Sequence, residues 1–330
     1  MKIPFPENEL FDRLENNFDQ TALAVFQFQF AHNVIYNRFA TALGKTPDKV
    51  NDMRDIPFLP VEFFKSQNVY CGIDQPEIVF TSSGTTGVNA SNHRVAKKKM
   101  YEESFLRGFE LAYGSPKDFI FLFLLPSYLE REGSSLIYMA EVLKQKSASE
   151  DSNFYLHNYS DLTAKLKQLQ TNSSVKRIML FGVTYALLDL AGQFPQPLSD
   201  VIILETGGMK GKRKEITREE LHTTLKNAFH VDTIHSEYGM TELLSQAWSK
   251  GEGIFHCPPW MKILTRETND PLAWTSYGKT GGINIIDFAN INSCSFISTS
   301  DLGKINTDGS FEILGRFDFS DTRGCNLLVE

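Results

Sequence analysis

Three stretches of this sequence carry side chains that can do chemistry. The first is Thr81-Ser82-Ser83-Gly84-Thr85-Thr86-Gly87, directly after the apolar segment 78–80. A polyphosphate needs several convergent hydrogen-bond donors and close approach of the main chain. The two glycines supply the approach and unusual backbone angles, and the hydroxyl side chains supply donors. The spacing is not that of a Walker A loop, whose lysine is missing. On its own, such a cluster reads first as a polar surface turn. The second stretch, Glu237-Tyr238-Gly239-Met240-Thr241-Glu242, sets an aromatic ring, a hydroxyl and a carboxylate within six residues. Standing alone it reads as a core tyrosine and a glutamate on a solvated helix start. The third is Arg323-Gly324-Cys325-Asn326, near the end of the sequence. A thiolate is a good nucleophile, and the guanidinium two residues away would lower the thiol's pKa.

The elements that must position these residues follow from periodicity. Through about Gly44 the apolar residues Leu10, Leu14, Phe18, Phe26, Phe30 and Val34 recur at near-helical spacing. Ile56-Pro57-Phe58-Leu59-Pro60 then breaks helix and predicts an extended crossing segment. Continuous apolar runs at 119–125, 177–182 and 201–204 are of buried-strand type, with helical patterns between them. Thr217-Arg218-Glu219-Glu220 has capping-box spacing, followed by Leu221, Leu225 and Phe229 on one helical face. The alternation predicts an α/β body with doubly covered, largely parallel sheets over residues 1–252. Beyond about Gly253 the segments 295–299, 304–306 and 310–314, around Asp308-Gly309, predict a small antiparallel β subdomain over 253–330.

Composition narrows the class. The chain has 330 residues, 42% hydrophobic and 22% charged, enough to bury a large core without staples. Its 26 phenylalanines fit a Phe-rich core, with an acyl channel as the other use for such rings. A net charge of −7 gives no general attraction to nucleic acid or anionic membrane. No apolar run is long enough to span a bilayer, and the N-terminus lacks a signal-peptide pattern. The four cysteines, Cys71, Cys257, Cys294 and Cys325, are scattered and form no CxxC pair. A reduced, cytoplasmic protein is expected.

A family resemblance joins the separate motifs. The Ser82–Gly87 hexapeptide resembles the signature phosphate loop of the adenylate-forming superfamily, which includes acyl-CoA ligases, firefly-type luciferases and peptide-synthetase adenylation domains. Leu204-Glu205-Thr206-Gly207-Gly208-Met209 resembles the segment that borders adenine in that family. Tyr238-Gly239-Met240-Thr241-Glu242 matches its YGxTE segment, Ser300-Asp301-Leu302-Gly303 its ribose station, and Gly315-Arg316-Phe317-Asp318 its hinge. The resemblance implies an adenylate-forming N-terminal-domain fold and binding of ATP with Mg²⁺. It assigns Ser82, Ser83, Gly84, Thr85, Thr86 and Gly87 to phosphate, and Gly207, Gly208, Met209, Tyr238, Gly239 and Met240 to the adenine region. Thr241 would bond the α-phosphate, Glu242 would hold Mg²⁺, Asp301 would accept the ribose hydroxyls, and Arg316 would contact ribose or phosphate. These residue types suit the tasks: an aromatic face suits a base and a hard carboxylate suits Mg²⁺.

The chain departs from that pattern twice. Val88-Asn89-Ala90 stands where the family commonly continues into Pro-Lys, leaving His93, Arg94 or Lys97 as substitutes for the cation. The sequence also stops at Glu330, shortly after the hinge, so the swinging domain and its lysine are expected to be missing. One branch of the superfamily fits both features. The segments 56–65, 125–136 and 323–326 resemble acyl-protein synthetases of the bacterial bioluminescence fatty acid reductase. In that branch a cysteine close to the C-terminus receives the acyl group, which here implies Cys325. The expected activity is ATP-dependent conversion of a carboxylic acid, with a fatty acid preferred, to an acyl-adenylate and then to a thioester. A reductase or carrier protein would be the acyl acceptor. The alternatives are a phenylacetate-type acyl-CoA ligase and a non-catalytic nucleotide-binding subunit.

Overall fold

The apolar run that starts at Phe119 forms a strand buried along its whole length, and the larger sheet is built around it. The computed structural model describes residues 10–11, 17–72, 75–82, 90–125, 133–171, 176–207 and 216–317. In chain order these give α1 (Phe18–His32), α2 (Val34–Ala42), β1 (Leu59–Pro60), α3 (Phe63–Ser66), β2 (Ile78–Thr81), β3 (Asn92–Val95) and α4 (Lys98–Tyr113). Next come β4 (Phe119–Leu124), α5 (Ser135–Ser147), β5 (Asn153–Tyr155), α6 (Tyr159–Thr171), β6 (Arg177–Val183), α7 (Thr184–Gln193), β7 (Val201–Thr206) and α8 (Arg218–Phe229). The last elements are β8 (His235–Tyr238), β9 (Ala247–Ser249), β10 (Ile254–Phe255), β11 (Met261–Arg266), β12 (Gly281–Asp287), β13 (Phe296–Ile305) and β14 (Phe311–Arg316).

The first sheet has the order β5-β4-β6-β7-β8-β9. Its first five strands pair in parallel and β9 runs antiparallel beside β8. Parallel neighbours require crossovers, which explains why a helix follows each of β4, β5, β6 and β7 and why the central strands β4, β6 and β7 are largely apolar and buried. Phe119, Phe121 and Phe123 stack along β4 at 5.6 and 5.4 Å, and Phe109 of α4 meets the first two edge-on. Each such ring contributes about 1.5–3 kcal/mol on burial. The phenylalanine content therefore serves the core to a large extent. The predicted capping box of α8 is present: Glu220 N–H donates to Thr217 Oγ1 at 3.1 Å, and Thr217 N–H to Glu220 Oε2 at 2.9 Å. Leu221, Leu225 and Phe229 are buried as their spacing predicts.

The second sheet, β10-β14-β13-β12-β11, is antiparallel, as expected for the last part of the chain. Two details differ from the sequence reading. Segments 295–299 and 304–306 are not separate strands but one ten-residue strand, β13, because the intervening Ser300-Asp301-Leu302-Gly303 keeps strict in–out alternation. Its ladders carry bulges at Gly282/Asn284 and Leu302/Gly303. The sheet also recruits β1, which pairs in parallel with β13 through Leu59↔Ile297 and Pro60↔Ser298. An edge position suits Pro60, which has no N–H to give a ladder.

The N-terminal helices lock onto the same region. Gln29 Nε2 donates to the carbonyls of Asn290 and Ile291, while its Oε1 accepts from Ser295 N–H. Asn33 Nδ2 donates to Ser293 O at 2.8 Å. These buried amides leave no unpaired polar cost and fix the turn that supports the site.

Candidate active site

The site forms where the C-terminal end of the parallel sheet meets β13 and β14. Tyr238 is the last residue of β8, and its hydroxyl donates to Asp301 Oδ2 at 2.7 Å. Asp301 lies in β13 directly opposite Arg316 of β14, whose Nε donates to Asp301 Oδ1 at 2.9 Å. The structure thus brings together Tyr238, Asp301 and Arg316 from three separate motifs. Burial holds the Tyr238 phenol well above its ordinary pKa, and the Asp301 charge adds to this. Each Asp301 oxygen has one protein donor and a second lone pair left for a diol. Arg316 leans outward, with most of its side chain exposed, while Asp301 is buried.

The loop after Tyr238 is held from behind. Asp287 accepts from Leu244 N–H, Ser245 N–H, Ser245 Oγ and Ala289 N–H at 2.6–3.0 Å. Burial raises the Asp287 carboxyl to about 6, against the pull of those donors. Asn290 accepts from Leu244 N–H and donates to Glu242 O, so its amide spans the loop. His93 of β3 reaches in from the phosphate-loop hairpin: its Nδ1–H donates to Thr241 O at 2.9 Å, which leaves Nε2 to accept from Ser293 Oγ at 2.8 Å. Burial lowers the His93 imidazole to about 4, so it is neutral. It therefore cannot supply the cation for which it was one of three candidates, and instead ties two loops together. Nothing local in the sequence marks this role.

Glu242 is buried beside Thr241. Burial pushes its carboxyl up, while the nearby Ser91 and the charges of Lys65 and Arg316 pull it down. A buried carboxylate with no ion pair among the described residues suits a divalent ion that takes its remaining ligands from water and phosphate, the habit of Mg²⁺. Among the described residues no cluster of three His, Cys, Asp or Glu side chains forms a closed metal cage.

A second carboxylate pair sits one strand deeper. Glu237 of β8 accepts a short hydrogen bond from the Thr206 hydroxyl of β7. Burial raises Glu237 to about 7; the Thr206 bond lowers it and the Glu205 charge raises it. Burial works against the charge of Glu205, but His222, Arg218 and Ser236 together hold its carboxyl below the usual range. A Cβ at 239 would press on the Glu237 carboxyl, which would have to shift. Both carboxylates stood within quoted motifs, yet their burial was not legible from the sequence.

The remaining predicted residues divide by location. Ser82 stands at the root of the segment expected to bind phosphate, its Oγ accepting from Ser91 N–H at 2.8 Å and its N–H donating to Ser91 O at 3.1 Å. Gly207 ends β7 with a positive φ of 71°, and its carbonyl accepts from Thr184 Oγ1. Gly239, Met240 and Thr241 form the turn between β8 and Glu242. Ser83, Gly84, Thr85, Thr86, Gly87, Gly208, Met209 and Cys325 lie outside the described residues. So do Arg323 and most of the segment 125–136.

This geometry, an α/β sheet abutting an antiparallel sheet with aromatic and acidic residues at their junction, defines the N-terminal-domain fold of adenylate-forming enzymes. A crystal structure of 2-hydroxyisobutyryl-CoA ligase in the postadenylation state superposes with a TM-score of 0.69 at 12% identity, covering 96% of this chain and 74% of that one. ATP-bound MatB from Rhodopseudomonas palustris gives 0.54 at 15% identity, over 85% of this chain and 56% of that one. The O-succinylbenzoate coenzyme A synthetase MenE from Bacillus subtilis, in complex with AMP, gives 0.50 at 19% identity, over 74% and 50%. A sequence search of the curated proteins found no match. The chain belongs to the acyl-protein synthetase family LuxE, whose family model matches residues 6–330. It is an ATP-dependent, adenylate-forming ligase, and no described helix is long and apolar enough to cross a membrane.

Proposed function

We propose that this chain activates a fatty acid as its acyl-adenylate and then carries the acyl group on its own Cys325. In the first step a carboxylate oxygen bonds to the α-phosphorus and the bond to the β-phosphoryl oxygen breaks, releasing pyrophosphate. In the second the Cys325 thiolate bonds to the acyl carbon, AMP departs, and the thiol proton goes to solvent. The observation that carries the reading is the junction of Tyr238, Asp301 and Arg316 beside buried Glu242, at the root of the Ser82 loop.

On this reading Asp301 and Arg316 hold the ribose, Tyr238 and the turn 239–240 border the adenine with the Gly207–Met209 segment, and the loop 82–87 with Thr241 holds the phosphates. Glu242 would hold Mg²⁺, which supplies charge neutralisation at the phosphates. The other thiols support Cys325 as the carrier: burial raises Cys71, Cys257 and Cys294, keeping them protonated, with Cys294 pushed up to about 12. The residues 253–330 are read as a small β subdomain and tail that closes the body 1–252. A cytoplasmic reductase or carrier protein would accept the acyl group.

Two of the similar structures, a 2-hydroxyisobutyryl-CoA ligase and an O-succinylbenzoate coenzyme A synthetase, favour one second reading, transfer to free coenzyme A. Intact-protein mass spectrometry after incubation with ATP, Mg²⁺ and straight-chain acids, without coenzyme A, separates the two. A hydroxylamine-labile acyl adduct, absent from Cys325→Ala and present in Cys71→Ala, is the expected result. Pyrophosphate release without an adduct would transfer the case to an external thiol. Neither product with any acid would sink the activation reading.

A further inference from the structure

Adenylation presses a carboxylate against a polyphosphate, so the reacting α-phosphoryl needs a cation that is not already neutralised. The cations around the site can be sorted by their partners. Arg266 is buried and spends its donors on Ile283 O, Asn284 Oδ1 and Thr299 O. Arg316 is paired with Asp301, and Arg218 lies 3.6 Å from Glu205 while donating to Ile313 O. Strand alternation sends Arg94 to the face opposite His93. Lys65, whose charge acts with that of Arg316 on the Glu242 carboxyl, is exposed and forms no ion pair with a described residue.

Its position is built, not incidental. The segment before it is fixed to the ribose-side strand, with Val61 N–H donating to Ser298 O at 2.9 Å and Ser300 Oγ donating to Glu62 Oε1 at 2.8 Å. Ser300 immediately precedes Asp301. Lys65 N–H in turn donates to Glu62 O at 3.0 Å. On the other side Phe64 is fully buried, its ring edge-on to His93 at 5.4 Å, and His93 bonds the carbonyl of Thr241. Lys65 is therefore held between the Asp301 strand and the Thr241–Glu242 turn, and its charge is felt at the Glu242 carboxyl.

We propose that Lys65 is the catalytic cation of the adenylation half-reaction, its ammonium facing the α-phosphoryl beside Glu242. The inference rests on the acyl-activation reading above. As the carboxylate oxygen bonds to phosphorus and the electron pair leaves with pyrophosphate, Lys65 keeps its proton and balances the charge; no proton moves. A compact point charge on a flexible stem suits a group that must follow a migrating phosphoryl.

The test uses the full chain, with ATP–pyrophosphate exchange driven by myristate, calorimetric ATP binding without acid, thermal midpoint, and thioester formation from synthetic myristoyl-AMP. Lys65→Ala should lose roughly 100-fold in the exchange rate. Its ATP affinity, its midpoint and its transfer from preformed myristoyl-AMP should match the parent. Lys65→Arg, which keeps the charge, should recover a substantial part of the exchange. Exchange at the parental rate in Lys65→Ala would overturn the proposal, as would equal losses in exchange and transfer. A parent that exchanges no pyrophosphate with any straight-chain acid from acetate to palmitate would overturn the activation reading and this inference with it.

Discussion

Tyr238 donates its phenolic hydrogen to Asp301, 63 positions away, at 2.7 Å, joining the end of the parallel sheet to the antiparallel one. The bond has two consequences: it fixes the tilt of the Tyr238 ring against Phe311 and Phe255, and it orients the carboxylate that also holds Arg316. Tyr238→Phe keeps the ring and removes the bond. The expected cost is about 1 kcal/mol of stability, with a rise of roughly fivefold in the KM for ATP. Asp301→Asn, which also unpairs Arg316, should raise KM further. Steady-state kinetics and thermal denaturation of both variants check this, and an unchanged KM in Tyr238→Phe would remove the orienting role.

Glu237 makes folding stability pH-dependent. Its carboxyl stands at about 7 in the fold against an ordinary 4.5, chiefly through burial. Between those values the folded chain binds more protons than the unfolded one, so this residue's contribution falls as pH rises, by at most about 3 kcal/mol. His93 and His235, lowered to about 4 by burial, act with the opposite sign: their contribution is full above the ordinary 6.5 and is lost as pH falls towards 4. The parent alone therefore shows a partly cancelled profile. Glu237→Gln should gain thermal stability over the parent progressively from about pH 5 to about pH 8. A constant difference across that range would mean that the carboxyl is not held protonated.

Glu242→Gln separates metal binding from folding. The buried carboxylate is raised by burial, so its replacement by an amide should leave stability equal or higher. Pyrophosphate exchange should nevertheless fall roughly 100-fold, with no recovery at high Mg²⁺. A variant that recovers fully at high Mg²⁺ would indicate that other residues hold the ion.

Asp287 supports the turn without contacting the nucleotide site itself. Its carboxylate accepts four hydrogen bonds, two of them from the backbone N–H groups of Leu244 and Ser245. Asp287→Asn would aim an amide N–H at those donors and should cost about 3 kcal/mol. Chemical denaturation measures this directly, and a loss below about 1 kcal/mol would contradict the clamp.

The sequence by itself determined the features encoded within a short window. The strands at 119–124, 177–183 and 201–206 follow from continuous apolar runs, and α8 from the Thr217–Glu220 capping box with its buried stripe. The motifs around Tyr238, Asp301 and Arg316 also stood out, because their residue types and order are carried by the chain itself. Only the tertiary structure decided what those residues touch. The pairing of Leu59 with Ile297, the Glu62–Ser300 bond and the Gln29 and Asn33 clamps each span more than 230 residues, a distance no periodicity reaches. β13 became one strand rather than two because β12 pairs with it on both sides of Ser300. The neutral His93, the raised Glu237 and the exposed Lys65 likewise depend on burial and on neighbours from distant elements. Charge state is a property of the surroundings, and those are set only when the two sheets close on each other.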